Sequence, residues 1–223
     1  MNVTATFLSN LISKNHESEQ VKVIVIKNKY PIFGALLAIF ASVCVHAAPA
    51  GDVEAGKKIA EQMCVACHGP KKTLNDETPI LSGQTWRYLY LQMKDFKEGR
   101  RTNQLMNPLM KDMSKQDMYN LAAYYSESKY ESENQKGDEG LINKGRKIAD
   151  DALCTMCHLG GFKGQNEVPR VAGQNYSYIV KQLMAFKNKE RTNDAGTMTA
   201  YMSDVTREQM EAVAAYVASL QIR

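Results

Sequence analysis

The chain has 223 residues, enough for one or two domains, and its 44% hydrophobic and 23% charged residues are those of an ordinary globular protein. A formal charge of +4 is too small over this length to argue for nucleic acid as a partner. Residues 1–29 are polar. Lys22, Lys27 and Lys29 then precede an apolar run from Tyr30 to Val45 that carries Phe33, Leu36, Leu37, Ile39 and Phe40. At about 16 residues this run is short for a membrane span and suits the apolar stretch of an export signal. Val45-His46-Ala47 offers small-residue cleavage chemistry, so residues 1–47 are read as a signal peptide cut after Ala47. An uncleaved membrane anchor is the rival reading, and export follows from either. A lipid on Cys44 is disfavoured by the bulky Val43 before it.

Removal of residues 1–47 takes away four lysines and two glutamates, and the formal charge falls from +4 to +2. It also takes away Cys44, His16 and His46, so the remaining four cysteines and two histidines all lie in two short motifs. No thiol is left for a structural disulfide and no histidine for a further ligand.

Past the signal, Asp52 is placed to cap a helix that runs through Gly56, Ile59 and Ala60 into Cys64-Val65-Ala66-Cys67-His68. The pattern C-x-x-C-H marks covalent attachment of a c-type haem. Cysteines three apart on a helix share a face, so both sulfurs reach the vinyl groups of one porphyrin, and the next histidine offers its imidazole to the iron. A single copy competes with a chance match or a redox or zinc site. The second copy, Cys154-Thr155-Met156-Cys157-His158, removes that competition, because it lies at an offset of 90 residues and other features recur with it.

Those features follow in order. Pro79-Ile80-Leu81-Ser82-Gly83-Gln84 is matched by Pro169-Arg170-Val171-Ala172-Gly173-Gln174. A helix with Tyr88, Gln92 and Phe96 on one face, ending in Arg101-Thr102-Asn103, is matched by Tyr178, Gln182, Phe186 and Arg191-Thr192-Asn193. Core packing and haem contact are both open for the tyrosines, and haem propionates and solvent are both open for the arginines. Trp86, which corresponds to Tyr176, is read as packing near a haem edge. Each half closes with a helix announced by a capping box, Ser114 with Asp117 and Thr206 with Gln209. Met118, Leu121, Ala122 and Tyr125 give its apolar face, repeated as Met210, Val213, Ala214 and Val217. Glycine, serine and charge between the halves mark a linker. No strand pattern appears. The predicted fold is all-α: residues 48–130 and 140–223 form two tandem haem-binding domains related by duplication, joined by 131–139, each too small for a generous core without its haem.

The sixth iron ligand is sought among the methionines, whose neutral thioether favours ferrous iron and suits an electron carrier. Met106 and Met198 each lie eight residues before their helix caps, in a predicted loop, whereas Met110 and Met202 lie four before and are expected to pack. The axial pairs are therefore His68 with Met106 and His158 with Met198.

With both haem motifs, the Gly-Gln turns, the Arg-Thr-Asn runs and Ala122-Ala123-Tyr124 with Ala214-Ala215-Tyr216, nearly the whole chain from Gly51 onward resembles the two-haem cytochromes c called cytochrome c4. The resemblance implies two mitochondrial-type cytochrome c domains. It implies terminal helices that cross where Gly56 meets Tyr124 and Gly145 meets Tyr216, and prolyl carbonyls of Pro79 and Pro169 that accept from the axial histidines. It implies two covalent haem c groups on Cys64, Cys67, Cys154 and Cys157, and a periplasmic electron carrier between a quinol-oxidising complex and a terminal oxidase or reductase, free or peripherally bound to the membrane. The alternative is a haem subunit of a larger oxidoreductase such as a flavocytochrome sulfide dehydrogenase. A catalytic two-haem enzyme, a peroxidase or thiosulfate dehydrogenase, is disfavoured because each half supplies its own methionine. Trp86, at a position usually polar in such proteins, and the long N-terminus depart from the pattern.

Overall fold

The computed structural model describes residues 51–69, 73–129 and 137–221. The signal and anchor readings of residues 1–47, and all of the linker before Gly137, lie outside the described residues. The second half begins with Asp138 as a helix cap, accepting from Leu141 N at 2.7 Å, so Glu139, assigned to the linker, is already helical.

The first half contains α1 (Val53–Met63), α2 (Val65–His68), α3 (Trp86–Lys97), α4 (Met106–Lys111) and α5 (Lys115–Glu127). The second contains α6 (Glu139–Asp151), a 3-10 turn (Cys154–Met156), α7 (Leu159–Phe162), α8 (Tyr176–Lys187), α9 (Thr197–Met202) and α10 (Arg207–Ser219). Among the described residues there is no strand, only an isolated bridge between Gln165 and Val168. No described helix is long and apolar enough to cross a membrane.

In each half the first long helix crosses the last, α1 on α5 and α6 on α10, and the middle helix packs on the last. The crossings are set by glycine. A β-carbon on Gly56 would overlap the Asn120 carbonyl and lie 2.9 Å from Tyr124 Cβ. One on Gly145 would overlap the Ala212 carbonyl and lie 2.9 Å from Tyr216 Cβ. Only glycine lets the backbones approach so closely.

The apolar faces are buried as their spacing requires: Met118, Leu121, Ala122 and Tyr125 in one half, Met210, Ala214 and Val217 in the other, with Val213 packed against the second core. Asp52 caps α1, accepting from Ala55 N at 3.0 Å. Of the two expected capping boxes only Thr206 with Gln209 is reciprocal. Asp117 is one methylene shorter; its carboxylate takes the Ser114 hydroxyl at 2.6 Å instead of reaching back to the cap N–H. Trp86 packs against the first core, stacked on Tyr90 with centroids 5.8 Å apart and tilted on Tyr119 at 5.3 Å.

The halves are not merely tethered. The described residues form one compact unit, and the surface between its halves is polar and nearly two-fold symmetric. Arg101 donates to Gln92 of its own half at 2.8 Å and to Tyr178 and Gln182 of the other at 3.0 and 2.8 Å. Arg191 donates to Gln182 at 2.8 Å and across to Tyr88 and Gln92 at 3.2 and 3.1 Å. Each guanidinium also lies over the phenylalanine of its own half, 4.7 Å from the Phe96 centroid and 4.5 Å from that of Phe186. The arginines are therefore not solvated surface charge; they bind the phenols and amides of the facing helix. Arg170 replaces Ile80 in the repeat and is buried, donating to the carbonyls of Ile80, Ser82 and Gly83 across the junction.

Candidate haem sites

Both motifs keep one local feature, a backbone bond donated by the histidine N–H to the carbonyl of the first cysteine: His68 N to Cys64 O at 2.8 Å and His158 N to Cys154 O at 3.0 Å. In the first half this is the α2 turn, as helical spacing predicts. In the second the chain carries one more residue between the crossing glycine and the first cysteine. Leu153 absorbs it in a left-handed conformation (φ 52°), and the motif continues as a 3-10 turn, not an α-helix. Cys64, Cys67 and Cys154 are half-buried, Cys157 is exposed, and none forms a disulfide.

His68 Nδ1 lies 2.9 Å from the Pro79 carbonyl oxygen, and His158 Nδ1 lies 2.9 Å from that of Pro169. A carbonyl only accepts, so each Nδ1 carries the proton and each Nε2 keeps its lone pair. Burial lowers both imidazoles below their ordinary pKa, and the prolyl bonds offset this only in part. Both rings are thus neutral at pH 7, the form that ligates a metal.

The methionines divide as expected in burial but not in local structure. Met110 and Met202 are buried, 3% and 9% exposed, whereas Met106 and Met198 are half-buried in the first turns of α4 and α9. The predicted loop is thus largely a short helix. Asn103 nucleates α4, its side-chain oxygen accepting from Leu105 N and Met106 N, both at 3.0 Å. Pro108 sits in the first turn, where its missing N–H leaves no bond unmade. Asp194 does the same for α9, accepting from Thr199 N at 2.8 Å and Gly196 N at 3.2 Å.

Two thiols, a neutral imidazole and a half-buried thioether in each half form a donor set whose chemistry fits haem c. The Tyr125 phenol, buried beside the Cys64 thiol, makes no well-formed hydrogen bond among the described residues. Its position in the second half is filled by Val217.

The cytochrome c family model matches residues 53–128 and again 142–221. Cytochrome c4 of Pseudomonas aeruginosa is 33% identical over 195 residues, covering 83% of this chain and 96% of that protein. A thiosulfate dehydrogenase electron acceptor of Thiomonas intermedia is 31% identical, covering 78% and 84%. The crystal structure of reduced recombinant cytochrome c4 from Pseudomonas stutzeri superposes with a TM-score of 0.71 at 30% identity, covering 77% of this chain and all of that one. With one family model matched twice over a duplicated donor set, the chain belongs to the cytochrome c family, in its two-haem cytochrome c4 group: it is an electron-transfer protein with two covalently bound haem c groups and not an enzyme.

Proposed function

We propose that the haems are held as thioethers by Cys64 and Cys67 in a domain of residues 48–130 and by Cys154 and Cys157 in a second domain that begins at the helix cap Asp138. Their irons are ligated by His68 with Met106 and His158 with Met198. The observation that carries this reading is the duplicated set itself. Each half has an imidazole fixed at 2.9 Å on a prolyl carbonyl, buried at His68 and half-buried at His158, and a half-buried methionine in the first turn of a short helix. Haem iron supplies a one-electron couple. The chain's part would be to present one protonation state of each imidazole and to offer the thioether sulfurs of Met106 and Met198 as second ligands to the irons.

The protein is exported by residues 1–47 and shuttles electrons in the periplasm between a quinol-oxidising complex and a terminal oxidase or reductase. The relative named as a thiosulfate dehydrogenase electron acceptor supports a second reading, in which the electron donor is a sulfur-compound dehydrogenase. Native purification separates the two: a co-purifying dehydrogenase favours the second, and reduction by membranes given quinol favours the first.

Ligation is tested by substitution in the holoprotein. Met106→Ala should abolish the far-red sulfur-to-iron band of one ferric haem and lower its potential, leaving the other haem unaltered, while Met110→Ala and Met202→Ala should keep both bands. Loss of a band in Met110→Ala with retention in Met106→Ala would reverse the ligand assignment.

A further inference from the structure

The glutamine that ends each Gly-Gln turn reaches into the opposite half. Leu81-Ser82-Gly83-Gln84 is a tight turn closed by Gln84 N to Leu81 O at 3.1 Å, with Gly83 at φ 67°, and Val171 to Gln174 repeats it with Gly173 at φ 65°. The two glutamine side chains are 5% and 4% exposed. Gln174 Oε1 accepts from Ile80 N at 2.8 Å and its Nε2 donates to Ile80 O at 3.0 Å. Gln84 Oε1 accepts from Arg170 N at 2.7 Å and its Nε2 donates to Arg170 O at 2.9 Å.

Ile80 N–H and the Pro79 carbonyl belong to one peptide group, and that carbonyl accepts from His68 Nδ1. Arg170 N–H and the Pro169 carbonyl likewise form one peptide group, and that carbonyl accepts from His158 Nδ1. A continuous chain of hydrogen bonds therefore runs from each imidazole through one peptide to the glutamine of the other half. Such chains polarise along their length: an acceptor on the amide N–H makes the carbonyl oxygen a stronger acceptor, which makes the imidazole a stronger donor to its metal.

We propose that Gln174 is a positioning residue that tunes the haem of the first half, and Gln84 one that tunes the haem of the second, each through the peptide it clamps. The proposal rests on His68 and His158 being the proximal ligands. A more electron-donating imidazole favours ferric iron, so each glutamine lowers the potential of the opposite haem.

The test uses full-length holoprotein in which both potentials are measured and assigned through hyperfine-shifted haem methyl resonances, with histidine ¹⁵N-labelled to follow each Nδ1–H. Gln174→Leu removes the acceptor; it should shift the redox equilibrium of the first haem toward the ferrous form about threefold, about 28 mV at 59 mV per decade. The His68 Nδ1–H signal should move with it while His158 and the second haem stay in place. Gln84→Leu should give the mirror result. Gln174→Glu keeps an acceptor and should not raise the first potential. Thr85→Val breaks a different cross-half bond, Thr85 Oγ1 to Asn166 O at 2.7 Å, and should move neither haem. A shift in the glutamine's own half, equal shifts in both, no shift, or the same shift in Thr85→Val overturns the proposal while leaving the ligands intact. If either imidazole in the unsubstituted protein lacks a hyperfine shift, the ligand reading falls and the proposal with it.

Discussion

Replacing Gly56 with alanine tests the helix crossing on which the first half is built. In a solvent-facing helix Gly→Ala stabilises by about 1 kcal/mol through propensity alone. Here the new β-carbon would overlap the Asn120 carbonyl and lie 2.9 Å from Tyr124 Cβ, where about 3.5–4.0 Å is comfortable, so α1 and α5 must separate by roughly an ångström. Overpacking of this kind costs about 1–3 kcal/mol. The separation also strains the bond from Asp52 N to Asn120 Oδ1 at 2.8 Å, worth about 1 kcal/mol net. The propensity gain roughly offsets that last loss, leaving a net destabilisation of about 1–3 kcal/mol. Gly145→Ala should behave alike, because its β-carbon would meet the Ala212 carbonyl and Tyr216 Cβ in the same way. Urea denaturation followed by far-ultraviolet circular dichroism measures both. A variant as stable as the parent, or more stable, would refute the close approach.

Arg191→Leu should destabilise by about 2–4 kcal/mol, because Tyr88, Gln92, Gln182 and Asn193 all accept from that guanidinium, and the same denaturation measures it. Burial pushes the Tyr88 phenol up, but the charges of Arg191 and Arg101 more than reverse it and hold it below its ordinary value. The same variant should therefore ionise Tyr88 at higher pH, and an unmoved phenol in an NMR pH titration would refute the assignment. Partial burial pushes the Asp194 carboxyl up, and amide bonds from Thr199 and Gly196 more than reverse this. With the folded pKa below the unfolded value of about 4, its stabilisation is complete above that value and fades as pH falls through the folded pKa. Asp194→Asn should accordingly lose less stability than the parent between pH 5 and pH 3.

Most of the fold was legible because its signals are local. A haem motif, a capping residue and an apolar face all declare themselves within one or two turns, and Asp52, Thr206 and the Met118-to-Tyr125 face came out as the sequence predicts. The prolyl carbonyls at the imidazoles came from family likeness and lie where it places them. The junction between the halves was not legible. Arg101 and Gln182 are 81 residues apart, and nothing in periodicity says that a charge following one helix is bound by an amide on another. The left-handed Leu153 was also hidden: the extra residue before Cys154 could be counted in the sequence, but the backbone conformation that absorbs it could not. The helical character around Met106 depends on the Asn103 side chain, a cap that a search for apolar spacing passes over.

Duplication explains why the junction is polar. A surface on one domain that must meet its own copy is self-complementary only if its donors and acceptors are paired about an axis, and the Tyr-Gln pairs of α3 and α8 with the arginines that follow each helix have that form. Once two copies share one chain, each position is free to diverge by itself. Ile80 corresponds to Arg170, Tyr125 corresponds to Val217, and only the second motif is entered through a left-handed residue, Leu153. These differences fall on the peptide after the proline, on the wall beside the first cysteine and on the entry to the motif, while the glycine crossings and histidine bonds stay the same. The shared parts are the ones the proposed ligand set requires; the divergent parts lie beside that set, where changes in dielectric and hydrogen bonding would separate two potentials. Unequal haems give an electron a preferred resting site, so a two-haem carrier gains direction from changes that leave its fold untouched.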